Sequence, residues 1–263
     1  MYEYVQFEVV DGVAILTLNR PDKRNALKRD FIVEINQCLK AIRGDESVRV
    51  LLLKASGKVF CAGMDLGEMQ ERAQAEDKEN QWHQDSLVYC EMLTGIYQLP
   101  VPTVAVVQGP ALAGGMGIVL ACDIMVASNE VFFSLPEPMR GITAAMVTPF
   151  LIHRVGNGPA TYCLLSGKRI TADDAFRLGM VHQLVAPDQL EPEVQELVAS
   201  ILTGSPNALA ITKKHVDNCT VANILEQVQA SIAVSAEARE TEDAREGLAA
   251  FLEKRKPNWM SAE

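Results

Sequence analysis

Apolar and polar positions succeed one another along this chain in two rhythms, alternating in short runs and spiralling in longer ones. Residues 3–10 alternate in part, Asp11-Gly12 marks a turn, and residues 13–18 resume as an apolar run, which predicts a β-hairpin. Residues 28–43 carry Phe31, Ile32, Ile35, Leu39 and Ile42 at helical spacing, and Gly44 stops that amphipathic helix. Residues 48–55, around Leu51-Leu52-Leu53, and the apolar, β-branched run 103–107 read as buried strands. Residues 67–86 are strongly polar and read as a solvated helix or as a mobile lid. Residues 87–99 form an amphipathic helix ended by Pro100, and 124–127 and 131–134 are further strands. From Thr143 the pattern turns helical, punctuated at Gly156-Asn157-Gly158-Pro159, with short helices over 160–165 and 171–178 and a short strand over 179–185. Beyond 188 only helical patterning remains, over 190–203, 205–218, 224–238 and 241–254. The pattern divides the chain into a mixed α/β core, 1–187, and a helical C-terminal region, 188–263.

Two stretches carry candidate chemistry. The strand 103–107 is broken by Gln108-Gly109-Pro110, followed by small residues, the pair Gly114-Gly115 and an apolar helical run to Asp123. Free backbone amides at such a helix start, with the helix dipole, favour negative charge, either a bound anion or an oxyanion formed during reaction. The same glycines could serve only close packing of helix on sheet. The second stretch, Phe60-Cys61-Ala62-Gly63-Met64-Asp65-Leu66, is either a plain strand-to-loop transition or the source of a second amide beside the first. Glu137 sits between Pro136 and Pro138, which hold its backbone. Facing a dry pocket it would suit proton transfer; facing water it would be an ordinary loop acid, or one paired with Arg140.

Composition narrows the field. A net charge of −10 disfavours nucleic acid as partner. Two local groups of cations, Arg20/Lys23/Arg24 and Lys254/Arg255/Lys256, are either solvated or placed for phosphate. Six scattered cysteines without a C-x-x-C pair suggest a reducing, cytoplasmic setting, and four scattered histidines suggest no metal site. No apolar run reaches membrane-span length. Met1-Tyr2-Glu3-Tyr4 does not read as the start of a signal peptide, and Ser261-Ala262-Glu263 is no peroxisomal address.

Taken together, Asn19-Arg20-Pro21 with Arg24-Asn25-Ala26-Leu27, residues 60–66, residues 102–123 with Gly114-Gly115, residues 132–141 with Pro136-Glu137, and the tail around Asp243-Ala244-Arg245-Glu246-Gly247 and Phe251 to Arg255 resemble the crotonase superfamily of enoyl-CoA hydratases and isomerases. That resemblance implies an α/β fold of repeated ββα units, a superhelix with two steeply packed sheets, and C-terminal helices that build a homotrimer or homohexamer. It implies an acyl-CoA thioester as partner, with coenzyme A entering as part of the substrate and no separate cofactor. The amides of Met64 and Gly114 would form the oxyanion hole. Arg24, Ala26, Ala62, Asp65 and Leu66 would lie along the CoA moiety, with Phe251 and Lys254 contributing, in some relatives across a subunit boundary. Glu137 then becomes the acid/base. The best-known hydratases carry a further glutamate where this chain has Gly117, so the reading is a hydratase-type lyase working with one glutamate, with Δ3,Δ2-enoyl-CoA isomerase as the alternative. Gly115 to Val119 and Thr148-Pro149-Phe150 resemble bacterial hydratases similar to those acting on branched, carboxylated thioesters. Ala145 stands where dehalogenase relatives place an aspartate, and no Ser-His-Asp set of the Clp-type peptidases is present. A CoA-binding or RNA-binding paralogue is the reading from a different class, the latter disfavoured by the acidic charge.

Overall fold

A computed structural model describes residues 2–219 and 223–260. Met1 of the signal-peptide reading and the C-terminal tripeptide of the peroxisomal reading lie outside these residues. The chain opens with the expected hairpin, β1 (Val5–Val10) and β2 (Val13–Leu18). Asp11 and Gly12 both have positive φ, which matches the right-handed twist of the flanking strands. Next come α1 (Arg29–Arg43), β3 (Val50–Ala55), α2 (Leu66–Ala73) and α3 (Lys78–Tyr97). After these lie β4 (Thr103–Val107), β5 (Ala111–Leu112), α4 (Gly114–Ala121), β6 (Ile124–Ser128) and β7 (Phe132–Ser134). Then α5 (Thr148–Val155), α6 (Asn157–Ser166), β8 (Ile170–Thr171), α7 (Ala172–Arg177) and β9 (Gln183–Val185) complete the α/β part. Four helices follow, α8 (Leu190–Thr203), α9 (Pro206–Asn218), α10 (Ile224–Glu240) and α11 (Glu242–Leu252).

Two sheets organise the molecule. The larger has strand order β1-β2-β3-β4-β6-β9, antiparallel only between β1 and β2. The smaller has order β5-β7-β8. Isolated parallel bridges Leu27↔Met64 and Cys61↔Ala111 carry the smaller layer on toward the loops after β2 and β3. Each of β2, β3, β4 and β6 therefore leads into a segment of the second layer and then into a helix, the ββα repeat that the sequence resemblance implied. One face of the large sheet is covered by α8, whose Leu190, Val194 and Val198 pack on Val50, Leu52, Val104, Val106 and Val126. The main core lies on the opposite side, with Phe31, Ile35, Leu51, Leu53, Leu93 and Val119 fully buried.

The polar stretch 67–86 differs from the expected solvated helix. It is split between α2 and α3 by a break at residues 74–77, and α3 buries Trp82, Asp85, Ser86 and Tyr89. Asp85 is tolerated inside because Arg29 Nε donates to it at 2.7 Å and Arg72 also donates to it. The helix expected from Thr143 starts at Thr148, after a turn at residues 141–147. The strands β5 and β8, two residues each, are shorter than any sequence periodicity resolves.

Candidate active site

Three loops converge where the two layers meet. The loop after β2 is held by Asn25, fully buried, whose Nδ2 donates to the carbonyls of Ser56, Val59 and Phe60 at 2.9, 2.9 and 3.1 Å. Ala62 N donates to Arg24 O at 3.0 Å, Leu27 N to Gly63 O at 2.8 Å, and Asp65 N to Leu27 O at 2.8 Å. Leu112 N donates to Cys61 O at 2.9 Å and Ala113 N to Ser134 O at 2.9 Å, which fixes the start of α4 against both neighbours.

This lacing turns two amides away from the ladders. Neither Met64 N–H nor Gly114 N–H donates to an acceptor among the described residues. Gly114 is the first residue of α4, where the helix itself offers no acceptor. The two lie side by side: a Cβ on Gly63 would stand 3.2 Å from Gly114 N and 2.6 Å from Ala113 Cβ. Gly63 has φ +90°, and a Cβ on Gly115 would meet Cys61 O at 2.5 Å and Cys61 Sγ at 2.8 Å, so neither position accepts a side chain. Ala113, a non-glycine residue at φ 51° and ψ −127°, aims the Gly114 amide and carries the strain.

Glu137 opens a 3-10 turn, Glu137–Arg140, directly after β7. It is 6% exposed, and its Oε2 is buried without a hydrogen-bond partner. Burial pushes its pKa up to about 7, against the opposing pull of its own backbone amide and of the Arg140 charge. A carboxyl of this kind gives and takes protons near neutral pH.

Tyr89 was not singled out in the sequence. Its hydroxyl donates to Gly114 O at 2.7 Å, and a Cβ on Gly117 would stand 2.3 Å from Tyr89 Oη. The phenol thus fills the space beside Gly117. Burial holds its pKa well above the ordinary value, with the charges of Cys61 and Glu137 adding to the effect. The signal available was its place seven residues after Trp82 on one face of α3.

The other expected binding residues fall in two places. Arg24, Ala26, Ala62, Asp65 and Leu66 come together in the laced loops, Arg24 exposed and the other four half-buried. Asp65 caps α2, accepting from Gly67 N and Glu68 N, and pairs with Arg20 Nη1 at 2.7 Å. Burial disfavours its charge, but Arg20 and the cap amides outweigh that and hold the carboxyl below the usual range. Arg20 is thus committed inside the protein, leaving Lys23 and Arg24 as the exposed cations of that cluster. Phe251 stacks on Arg140, ring centroid to guanidinium 4.5 Å, and Lys254 is exposed just past α11. Within one chain neither makes a hydrogen bond or ion pair with the Arg24–Leu66 loops among the described residues. Glu68, the other candidate proton carrier, is engaged by Arg29 N at 3.0 Å and Arg72 Nη2 at 2.6 Å. No group of three or more metal-ligating side chains is found among the described residues.

A two-layer ββα fold presenting paired free amides beside a buried carboxyl defines an α/β protein suited to acid–base chemistry next to a carbonyl. The comparisons with known proteins agree with that class. The chain belongs to the enoyl-CoA hydratase/isomerase family, whose model matches residues 8–262. It is 34% identical over 268 residues to a crotonyl-CoA hydratase of Syntrophomonas wolfei, covering 99% of each chain. It is 32% identical over 246 residues to a short-chain-enoyl-CoA hydratase of Clostridium acetobutylicum, covering 93% of this chain and 92% of the other. A crystal structure of an enoyl-CoA hydratase from Mycobacterium avium superposes with a TM-score of 0.86 at 30% identity, covering 99% of this chain and 100% of that one. The protein is an enzyme of this family.

Proposed function

We propose that the protein adds water across the double bond of a 2-enoyl-CoA thioester, with Glu137 as proton carrier and the amides of Met64 and Gly114 as the oxyanion hole. The Glu137 carboxylate takes a proton from water as its oxygen bonds to C3. Electron density moves through C2 onto the thioester oxygen, where two preorganised donors stabilise it by about 3 kcal/mol each. Glu137 then delivers the proton to C2 and the carbonyl reforms. The observation that carries this reading is the buried, unpartnered Oε2 of Glu137. CoA would run along Arg24, Ala26, Ala62, Asp65 and Leu66 on one chain, with Phe251 and Lys254 placed at the rim. Six unpaired cysteines, five of them buried, support a reducing compartment such as the cytoplasm. Exposed apolar side chains on α6, α7 and α9 support assembly into a trimer or hexamer.

The second reading is 3-enoyl to 2-enoyl isomerisation, in which Glu137 removes a proton from C2 and returns it at C4. The single carboxyl favours it, because that reaction needs no held water. Crotonyl-CoA and a 3-enoyl-CoA separate the two: loss of the conjugated thioester absorbance is hydration, and its gain from the 3-enoyl ester is isomerisation. Glu137→Gln is expected to lower turnover by about 10²- to 10⁴-fold while CoA-ester binding persists. Full turnover in that variant overturns both readings.

A further inference from the structure

One buried phenol takes no part in the chemistry assigned to Glu137 and the paired amides. Tyr89 projects from α3, is 4% exposed, and spends its one proton on Gly114 O at 2.7 Å. A phenolic oxygen whose proton is committed can still accept. No donor reaches that oxygen among the described residues. The polar side chains around the site's loops are otherwise occupied. Asn25 Oδ1 accepts from Arg20 N at 2.8 Å, and its Nδ2 serves three carbonyls. Cys61 Sγ donates to Asn25 O at 3.1 Å, and Ser134 Oγ donates to Gly167 O at 3.2 Å. Tyr89 Oη is a buried acceptor with capacity to spare.

Its place gives that capacity a use. A Cβ on Gly114 would stand 3.3 Å from Tyr89 Oη and one on Gly117 2.3 Å, so the oxygen fills the room beside the first turn of α4 that a side chain at 117 would take. Ala113 N donates to Ser134 O at 2.9 Å, which seats the start of α4 against the end of β7, three residues before Glu137. Glu137 Oε2 is likewise buried without a partner. Burial, with the charges of Cys61 and Glu137 adding to it, keeps the phenol protonated. It is therefore a neutral acceptor near the carboxyl and not a second acid. Water that adds to a double bond has two O–H groups to place. A base takes one proton, and an acceptor on the other O–H aims the oxygen lone pair.

We propose that Tyr89 is a catalytic residue for hydration, its oxygen accepting a hydrogen bond from the attacking water while Glu137 takes that water's other proton. The inference rests on the hydration reading of the site. Held through both O–H groups, the water turns a lone pair toward C3. As the O–C3 bond forms, the C2=C3 pair moves into the C1–C2 bond and the carbonyl pair onto the thioester oxygen. The proton lost by water goes to Glu137 and from there to C2. The phenol keeps its own proton on Gly114 O throughout.

Tyr89→Phe removes the oxygen and keeps the ring. Two rates are read in the wild-type protein and the variant, hydration of crotonyl-CoA and exchange of the C2 protons of butyryl-CoA in heavy water. Exchange uses Glu137 and the paired amides but no attacking water. Hydration is expected to fall about tenfold or more, in kcat rather than KM, while exchange stays within about twofold. Unchanged hydration overturns the proposal. So does an equal fall in both rates, which would make Tyr89 only a prop for Gly114. A second measurement needs no variant to fold: a crystal structure of the wild-type protein with butyryl-CoA is expected to show a water bonded to both Tyr89 Oη and Glu137. A site without that water overturns the proposal. If the wild-type protein exchanges the C2 protons but does not hydrate crotonyl-CoA, the hydration reading itself fails. If it hydrates and Tyr89→Phe hydrates equally well, the role of Tyr89 alone fails.

Discussion

Glu137 has its pKa set by desolvation, and this has two measurable consequences. As the base in hydration it must be ionised, so kcat/KM should fall as pH drops through about 7. The same burial costs stability. The unfolded carboxyl ionises near 4.5 and the folded one near 7, so the folded state binds the extra proton between them. Stability is therefore lost as pH rises through that window, by on the order of 3 kcal/mol once above it. Glu137→Gln should raise the thermal midpoint at pH 8 and leave it unchanged near pH 4. A melt series showing no pH-dependent difference would refute the buried carboxyl. The flanking prolines drew attention to the residue, but its acid/base role was expected from the family resemblance and not from its local sequence. Tyr89 was not legible, because its role depends on how α3 faces α4, which no local pattern records. Gly117→Ala should push the Tyr89 hydroxyl off Gly114 O, costing about 1–3 kcal/mol and most turnover. Adding Tyr89→Phe to that variant removes the colliding oxygen, so the double variant should be more stable than Gly117→Ala alone. Strict additivity in that cycle would show that the two positions do not meet.

Among the elements, α2 shows how a binding loop is held. Asp65 caps it and anchors Arg20 from the loop after β2. Asp65→Ala should destabilise the fold by about 0.5–2 kcal/mol through the lost cap. It should also lower kcat more than an exposed change such as Glu71→Ala, since Met64 is the preceding residue; equal kcat in the two variants would separate the cap from the oxyanion hole. Patterning identified α1, β4, the hairpin and the strand–glycine–helix turn at α4 because each owes its form to its own residues. It misjudged residues 67–86 because the ion pairs that let Asp85 go inside come from Arg29 and Arg72, far from it in sequence or across a helix break. Likewise Arg20 read as one of three free cations until Asp65, 45 residues on, claimed it.

At the scale of the whole molecule, the two layers explain why the site lies where it does. Strands of the large sheet end in the second layer, and the loops at that crossing bring residues from positions 24 to 140 together. The ββα repeat was expected from family resemblance rather than from periodicity, since strands of two residues leave no rhythm to read. Leu165 at 77% exposure, Ile211 at 69% and Tyr162 at 61% are large apolar side chains in contact with solvent on one chain. Sedimentation equilibrium should accordingly give a mass that is a multiple of three times the 28.8 kDa chain. A monomer at micromolar concentration would refute the trimeric reading.

Cys61 is wedged between Asn25, whose carbonyl accepts from its Sγ at 3.1 Å, and the glycine at the second position of α4. Burial lifts its pKa to about 12, so it is an inert thiol at neutral pH while the loops stay closed. Its alkylation rate is therefore a clock for the parting of the two strand-to-helix connections. Exposed Cys219 should label at once and Cys61 only as fast as the active centre breathes. A bound thioester, by clasping both connections, should slow that second phase alone.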